Sequence, residues 1–566
     1  MKRIIIAFLL FVSVFSAKGE RSGKEVYLDI MQKAVEAYSP QRIRQYADRV
    51  FSEGVTEHGF ALLTSNVGIM VSRGRMPQLK DTFIELMDIC AREVPIALQK
   101  NRGKGEIGND FAVRQLVTCL LEVEKSGLFP QEKTLSWRKA FTGMKAEDIY
   151  SVQPEPGDGT ARNWCIYGAA SECARVMAGM GGDKEYVDRY LTDQLRFFDA
   201  NGMYMDPGCP MLYDLVARQQ YMLSLRLGYD GPSRDRIVET LMRSAASTLM
   251  MQSVTGEIPY GGRSNQFLFN ETILASVFEW YASRMEADGD HVAARRFKGA
   301  AMRAVSSLDY WFSQEGLRHV KNRYPIDSGY GCERYAYFDK YMVGLASNAY
   351  VAYLLADDSI EPDMRLPEAS TFVTGPDFHR IVMNAGGYTV EFDINPEKKY
   401  DSAGIGRIQK AGASPVVALA SPCPMSQKPS YHLDIENPEG GLALAPLWDR
   451  YEVVKARKGK VILTDGKSLW KCRLSRRGLS MSLTGDGPVV LTIPALAYDG
   501  ETRTSVTCSG KDLEISFRGD RCRYSTNGSF TDTGLEYGSR NGHLRRYEAR
   551  GVKRLKVKVQ IDHNRI

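Results

Sequence analysis

The chain has 566 residues, 43% of them hydrophobic and 25% charged, with a formal net charge of +6. That length is too great for one ordinary domain and ample for two large cores. The charge is too small for the size to argue for nucleic acid, and a mildly basic surface suits an acidic glycan no better than it suits a plain soluble protein.

The N-terminus reads as a secretory signal. Lys2 and Arg3 form the charged region, residues 4–15 the apolar core, and Ala17 and Gly19 the small residues at −3 and −1. Cleavage is expected after Gly19, with delivery across the inner membrane to the periplasm or outside. The apolar run is too short for an ordinary membrane span, and no later stretch is able to cross a bilayer. The first cysteine is Cys90, so a lipid anchor is not expected.

From residue 24 to about 358 the pattern is helical, with apolar residues recurring at three and four, as in Val113, Leu116, Val117, Leu120 and Leu121. Glycine and proline clusters at 127–130, 179–183, 230–232 and 288–290 separate the helices. A second regularity lies across the first. A polar or aromatic residue repeatedly opens an apolar helix: His58, Asn109, Asn163 with Trp164, Tyr213, Asn265 with Gln266, and Tyr337. The intervals from His58 to Asn265 are 51, 54, 50 and 52 residues. A period of about 50 residues marks a repeated unit, here an outer helix, a turn, an inner helix and a return loop. About twelve helices of ordinary length fill the segment. Six hairpins close into an (α/α)6 toroid, with six helix openings forming a polar cleft over an apolar barrel. An incomplete ring or a plain solenoid is the alternative.

Residues 358–367 read as a linker. Beyond them the period becomes two, over 388–394, 479–483, 489–493, 513–517 and 555–561, punctuated by Gly, Asn, Asp and Pro. Many short strands with such turns predict an antiparallel β-sandwich. The expected organisation is a signal over 1–19, a toroid over 20–365 and a sandwich over 366–566. Cys90, Cys119, Cys165 and Cys173 sit in apolar helical contexts and read as buried thiols. Cys508 and Cys522 sit on two neighbouring predicted strands and are candidates to pair, which spacing alone does not decide. There is no CxxC or His-x-x-x-His, so zinc has weak support, and no cofactor is called for; a divalent cation stays open.

Three loops carry polar groups towards the expected cleft. Residues 201–214 are rich in Gly and Pro and end in Tyr213, although an ordinary loop packing its tyrosine on the next hairpin looks the same. Residues 260–271 join Gly261 and Gly262, which permit close backbone approach, to Arg263, Asn265 and Gln266, which suit a carboxylate; helix capping is the plainer reading, and Glu271 reads as a buried tie. Residues 330–339 gather Tyr330, Arg334, Tyr335 and Tyr337, whose faces suit sugar rings or packing against the second domain. His58 alone among seven histidines occupies the repeated position. His291, His319, His543 and His563 read as surface, His379 as a strand start, and His432 as facing the interdomain cleft.

With these residues in place the chain resembles the toroidal polysaccharide lyases, such as the heparinase II and alginate lyase groups. Asn163-Trp164 is similar to the polar-plus-aromatic pair that those families carry on an inner helix, and Tyr213 resembles their catalytic tyrosine. Residues 401–407 look like a segment of an uncharacterised bacterial family of this architecture. The overall texture is most similar to the L-rhamnose-α-1,4-D-glucuronate lyases of polysaccharide lyase family 27. Several relatives add a His beside the Asn, where this chain has Trp164; His58 is the candidate to supply it.

The resemblance implies β-elimination next to a uronic acid, with rhamnose-capped glucuronate of plant arabinogalactan as substrate; the loops at 154–160 and 204–210 are long enough to block one end of the cleft, which favours exo action. Such a reaction needs donors on the carboxylate, a base at C5 and an acid at the leaving oxygen. Asn163, Arg263 and Asn265, helped by His58, are assigned to the carboxylate, and Tyr213 to the base. A phenol of reference pKa near 10 needs a cation beside it for that, which Arg263 or Arg334 supplies. Tyr335 and Tyr337 are reserves, and Asn109, Trp164, Gln266 and Tyr330 are expected substrate contacts. A glycoside hydrolase on the same ring would need two facing carboxyls from Asp206, Asp214, Glu271 and Glu333. A non-catalytic glycan-binding protein would need only aromatic platforms, and fold alone does not choose.

Overall fold

A computed structural model describes residues 23–100, 108, 110–159, 161–208, 210–313, 316–333, 335–397, 400–418 and 443–563. The expected signal over 1–19, and Asn109, Arg334, His432, Cys209 and Cys423, lie outside the described residues.

Six inner helices follow the expected period: α1 (Gly59–Ser72), α2 (Asp110–Ser126), α3 (Asn163–Met177), α4 (Met211–Arg226), α5 (Phe269–Ala287) and α6 (Phe338–Leu355). Each packs on the next, and α6 packs back on α1, so the ring is closed. The composition of the helices explains which are inside. Helix α1 buries every residue from Gly59 to Val71, since it has neighbours all round. The outer helix Pro40–Glu53 buries only Ile43, Tyr46, Ala47 and Val50, one stripe at three and four. Its start is set by Ser39, whose hydroxyl accepts from the Arg42 N–H at 3.1 Å, and by Pro40 in the first turn.

The barrel is less apolar than its sequence predicts. Gln115 donates to Asn66, Asn66 to the Val343 carbonyl, Gln220 to Gln219 and Gln219 to Ser276, all buried. These amides bridge neighbouring inner helices and satisfy one another, which makes their burial tolerable.

After residues 358–367, which hold no helix or strand, the second domain is wholly antiparallel in its pairings. A four-stranded sheet (Ser370–Val373, Arg380–Ala385, Tyr388–Asp393, Gly404–Lys410) lies between the toroid and an eight-stranded sheet. Asn384 donates to the Met250 carbonyl on its toroid side; Phe392 meets Trp470 of the eight-stranded sheet on the other. A second four-stranded sheet includes Val489–Tyr498 and Gly542–Gly551. Cys508 and Cys522 are not neighbours: the strand Asp512–Phe517 runs between theirs, and both thiols are free. Cys90, Cys119, Cys165 and Cys173 are free and buried.

Buried ion pairs fasten the two domains. Arg540 holds Glu333 through both oxygens, at 2.7 and 2.9 Å. Asp401 accepts from the Gly262 N–H at 2.9 Å and from Arg380 at 2.8 Å. Gly261 (φ 98°) sits where any side chain would strike Arg380 and Asp401. The double glycine therefore does serve close approach, but to the second domain rather than to a ligand.

Candidate active site

A cleft of about 470 Å³ opens over the mouths of the inner helices. His58, the residue before α1, Asn163 and Trp164 at the start of α3, Tyr213 in the first turn of α4, Arg263 in the loop before α5, and Tyr335 before α6 all line it. Positions up to 277 residues apart meet here because the closed ring brings every helix mouth to one end.

Asp206 organises one wall. Its carboxylate, 4% exposed, accepts from the Asn163 amide at 2.7 Å and from Arg263 at 2.5 Å. Burial raises its pKa, while Asn163 and Arg263 oppose the rise. Arg263 also donates to the Pro207 carbonyl at 2.9 Å and lies 4.4 Å over the Tyr213 ring. The guanidinium thus has its charge set against the phenol that sequence reasoning made the base.

Ser264 is the hub of a second cluster. Its hydroxyl is 3.0 Å from Tyr213 Oη, 2.8 Å from Tyr341 Oη and 3.3 Å from Tyr335 Oη. Ser264 (φ 53°) and Gln266 (φ 66°) hold left-handed backbone, which non-glycine residues seldom adopt. The Ser264 N–H donates to Glu333 at 2.6 Å, and Glu333 is held by Arg540, so the interdomain pair sustains the strained turn. Burial raises the pKa of Tyr213, opposed by Arg263 and by the Ser264 hydrogen bond. The sequence expectation that a cation would bring this phenol down is half met: the cation is present, and burial outweighs it. Tyr335 and Tyr341 are also pushed up, chiefly by burial.

The rest of the described lining is largely aromatic and cationic. Phe111 meets His58, Trp164 and Tyr167 at centroid distances of 5.3, 5.0 and 4.4 Å. Arg114 stands 5.4 Å from the Tyr167 ring. Lys340 has its pKa lowered by burial, with Glu57 opposing. Tyr400 reaches the cleft from the second domain.

Several expected contacts go elsewhere. Asn265 donates to the Pro259 carbonyl and accepts from Gln266, and Gln266 accepts from Asn541; both amides are buried in loop and domain packing. Tyr330 stacks on Tyr324 at 3.7 Å near His543, in interdomain packing. Tyr337 caps α6 outside the cleft lining, and burial pushes its phenol up to about 12. His319 is not a surface residue: it is 3% exposed and stacks on Phe267. Sequence reasoning missed Arg114, Ser264, Lys340, Tyr341 and Tyr400. Ser264 directly precedes the opening residue Asn265, and Arg114, Lys340 and Tyr341 lie three to five residues past their helix openings, so weighing positions i+3 to i+5 would have found those three; nothing local marks Tyr400.

The four carboxylates proposed for hydrolysis are all committed. Asp214 pairs with Arg218 at 2.5 Å, Glu271 with Lys321 at 2.8 Å, Glu333 with Arg540, and Asp206 with Arg263. None lines the cleft, whose described lining contains three cations and no Asp or Glu. Among the described residues no group of three His, Cys, Asp or Glu is placed to hold a metal ion, and no helix is long and apolar enough to cross a membrane.

No family model matches the chain, and no curated protein matches it in sequence. In three dimensions it is similar to a crystal structure of heparinase III, with a TM-score of 0.50 at 9% identity over 87% of this chain and 76% of that one. The fold is a helical toroid followed by a β-sandwich. A heparan sulfate lyase from Pedobacter heparinus aligns with a TM-score of 0.45 at 10% identity over 90% and 76% of the two chains. A GH127 β-L-arabinofuranosidase from Geobacillus stearothermophilus T6 aligns with a TM-score of 0.34 at 11% identity over 96% and 81%.

Proposed function

We propose that the protein is a polysaccharide lyase that cleaves at C4 of a uronic acid by β-elimination. The observation that carries this reading is the described cleft lining: Arg114, Arg263 and Lys340 with five tyrosines, and no carboxylate. Cations without acids suit an anionic sugar, and a hydrolase lacks its carboxyl pair. The heparinase III fold is in keeping with it.

In this mechanism Arg263 and Asn163 face the uronate carboxylate, held in place by Asp206. They stabilise the charge that moves there as the C5 proton leaves; one such donor is worth about 3 kcal/mol. Tyr213 takes the C5 proton after its own has passed to Ser264, that of Ser264 to Tyr335 and that of Tyr335 to solvent, Tyr335 being the most exposed of the three phenols. The C5–H electrons form the C4=C5 double bond, the C4–O bond breaks, and the departing oxygen collects a proton from the same tyrosine cluster. His58, Trp164 and Phe111 border the sugar on the far side.

The finer reading is exo action on rhamnose-capped glucuronate of plant arabinogalactan by a secreted enzyme, periplasmic or extracellular. Its support is the sequence resemblance and, for exo action, the length of two loops; of these the one at 204–210 meets the cleft residue Arg263 through the Pro207 carbonyl, while the one at 154–160 is tied to the outer helix Lys184–Gln194, its Gly157 N–H donating to Asp193 at 3.0 Å. The test is Tyr213→Phe with a uronate glycan. The reading expects release of unsaturated, near-ultraviolet-absorbing product to fall by at least about 10²-fold; near-wild-type release removes Tyr213 from the mechanism.

A further inference from the structure

The eight-stranded sheet turns one face inward and one outward. Trp470, Cys472, Leu474, Met481, Leu483, Val557 and Val559 are buried on the inner side. The alternate residues form a trough of about 410 Å³ on the outer side. Strand pairing orders that face into two rows that cross five strands. One row runs Lys455, Ile462, Lys471, Ser482, Lys556. The next runs Arg457, Lys460, Arg473, Ser480, Lys558.

Seven of these ten side chains are cations, and among the described residues no Asp or Glu lines the trough. Among the described residues none of the seven pairs with a carboxylate, whereas Arg521 and Arg523 on the same sheet both pair with Glu514. Like charges placed side by side repel, so the array costs stability unless an anion covers it. Protection of a sheet edge by lysine accounts for the outermost strand alone. Five of the seven stand on interior strands, Lys460–Thr464, Leu469–Ser475 and Arg554–His563.

Strands lie about 4.8 Å apart, so Lys455, Lys471 and Lys556 repeat about every 10 Å across the sheet, with the second row about 7 Å away. A chain with regularly spaced anionic groups lying across the strands meets a cation at each step, and Ser480 and Ser482 offer hydroxyls between them. The described lining has no aromatic ring, so it lacks the stacking platform that single-stranded nucleic acid needs. The first four-stranded sheet separates this face from the toroid, so it is no part of the cleft.

We propose that this outer face is a second, non-catalytic site that binds a linear acidic polysaccharide and holds the polymer while the cleft works on it. The choice of ligand rests on the reading of the cleft as one for acidic sugars.

The test uses the full chain with Lys471→Gln, Arg473→Gln, Lys556→Gln and Lys558→Gln combined. All four side chains are exposed, so thermal unfolding is expected to be unchanged. A Lys184→Gln/Arg234→Gln/Arg236→Gln/Arg295→Gln variant, equal in charge removed, controls for net charge. Titration with polygalacturonate, repeated with the Tyr213→Phe change present so that no polymer is cut, reads the binding. The expected result is at least about a tenfold rise in Kd and a shallower salt dependence for the sheet variant only, with turnover of short uronate oligosaccharides unchanged. Equal polygalacturonate affinity in wild type and sheet variant overturns the proposal. So does equal weakening in the control variant, or tighter wild-type binding of phosphatidylserine vesicles or duplex DNA than of polygalacturonate at matched salt. Loss of polymer binding in the sheet variant, with no unsaturated product from any uronate glycan, overturns the cleft reading and leaves this one standing.

Discussion

Asp206→Asn changes one atom pair and strikes the wall that the mechanism depends on. The carboxylate accepts on both oxygens, from Asn163 at 2.7 Å and from Arg263 at 2.5 Å. An amide of the same shape has one accepting oxygen and one donating nitrogen, so it keeps only one of those partners. The other donor loses its anchor and swings from the position assigned to the uronate carboxylate. The stability cost is small, about 1 kcal/mol, since Arg263 is 29% exposed and solvent screens it. The catalytic cost is larger. One misplaced donor corresponds to about 3 kcal/mol, or about 10²-fold in kcat/KM. Initial rates of near-ultraviolet product at substrate well below KM, with a melting curve on the same sample, separate the two. A variant within about threefold of wild type in kcat/KM, with an unchanged melting temperature, refutes the claim that Asp206 positions the carboxylate donors.

Other outcomes follow from the same geometry. Arg540→Ala strands the buried Glu333 and is expected to lower unfolding free energy by about 3–5 kcal/mol in denaturant titration; because Glu333 also holds the Ser264 N–H, activity is expected to fall even where the chain stays folded. His319 is buried with its pKa brought down to about 4, from an ordinary 6.5, by burial. The unfolded chain then binds the extra proton between these values, so stability drops by about 3 kcal/mol as pH falls from 6.5 through 4, and His319→Gln is expected to flatten that part of a melting-temperature profile. Among the described cysteines only Cys508 is exposed; alkylation of the native protein followed by peptide mapping is expected to label it, and to find no Cys508–Cys522 disulfide.

The ring was legible because its signal is repeated. Each inner helix is buried along most of its length and each opens on a polar or aromatic residue, so the period survives variation at any single position. The strands at 479–483, 513–517 and 555–561 were legible from alternation, for one face of their sheet is dry and the other wet. Their pairing was not, because register across a sheet is long-range: the mistaken Cys508–Cys522 neighbourhood skipped a whole strand. In the cleft, His58, Asn163, Tyr213, Arg263 and Tyr335 converge as the ring requires. Asn265 and Gln266 were misread because a strained turn buries two amides as readily as it presents them. Tyr400 was invisible since nothing local says that a loop 137 residues after Arg263 docks beside it.

The central claim is that this cleft eliminates across C4 and C5 of a uronic acid. Incubation of the purified chain with a panel of uronate-containing glycans, with product mass and near-ultraviolet absorbance read together, tests it most directly. The account predicts a product that absorbs and that weighs one water less than its hydrolytic counterpart. Products that carry the added water and show no absorbance would contradict it.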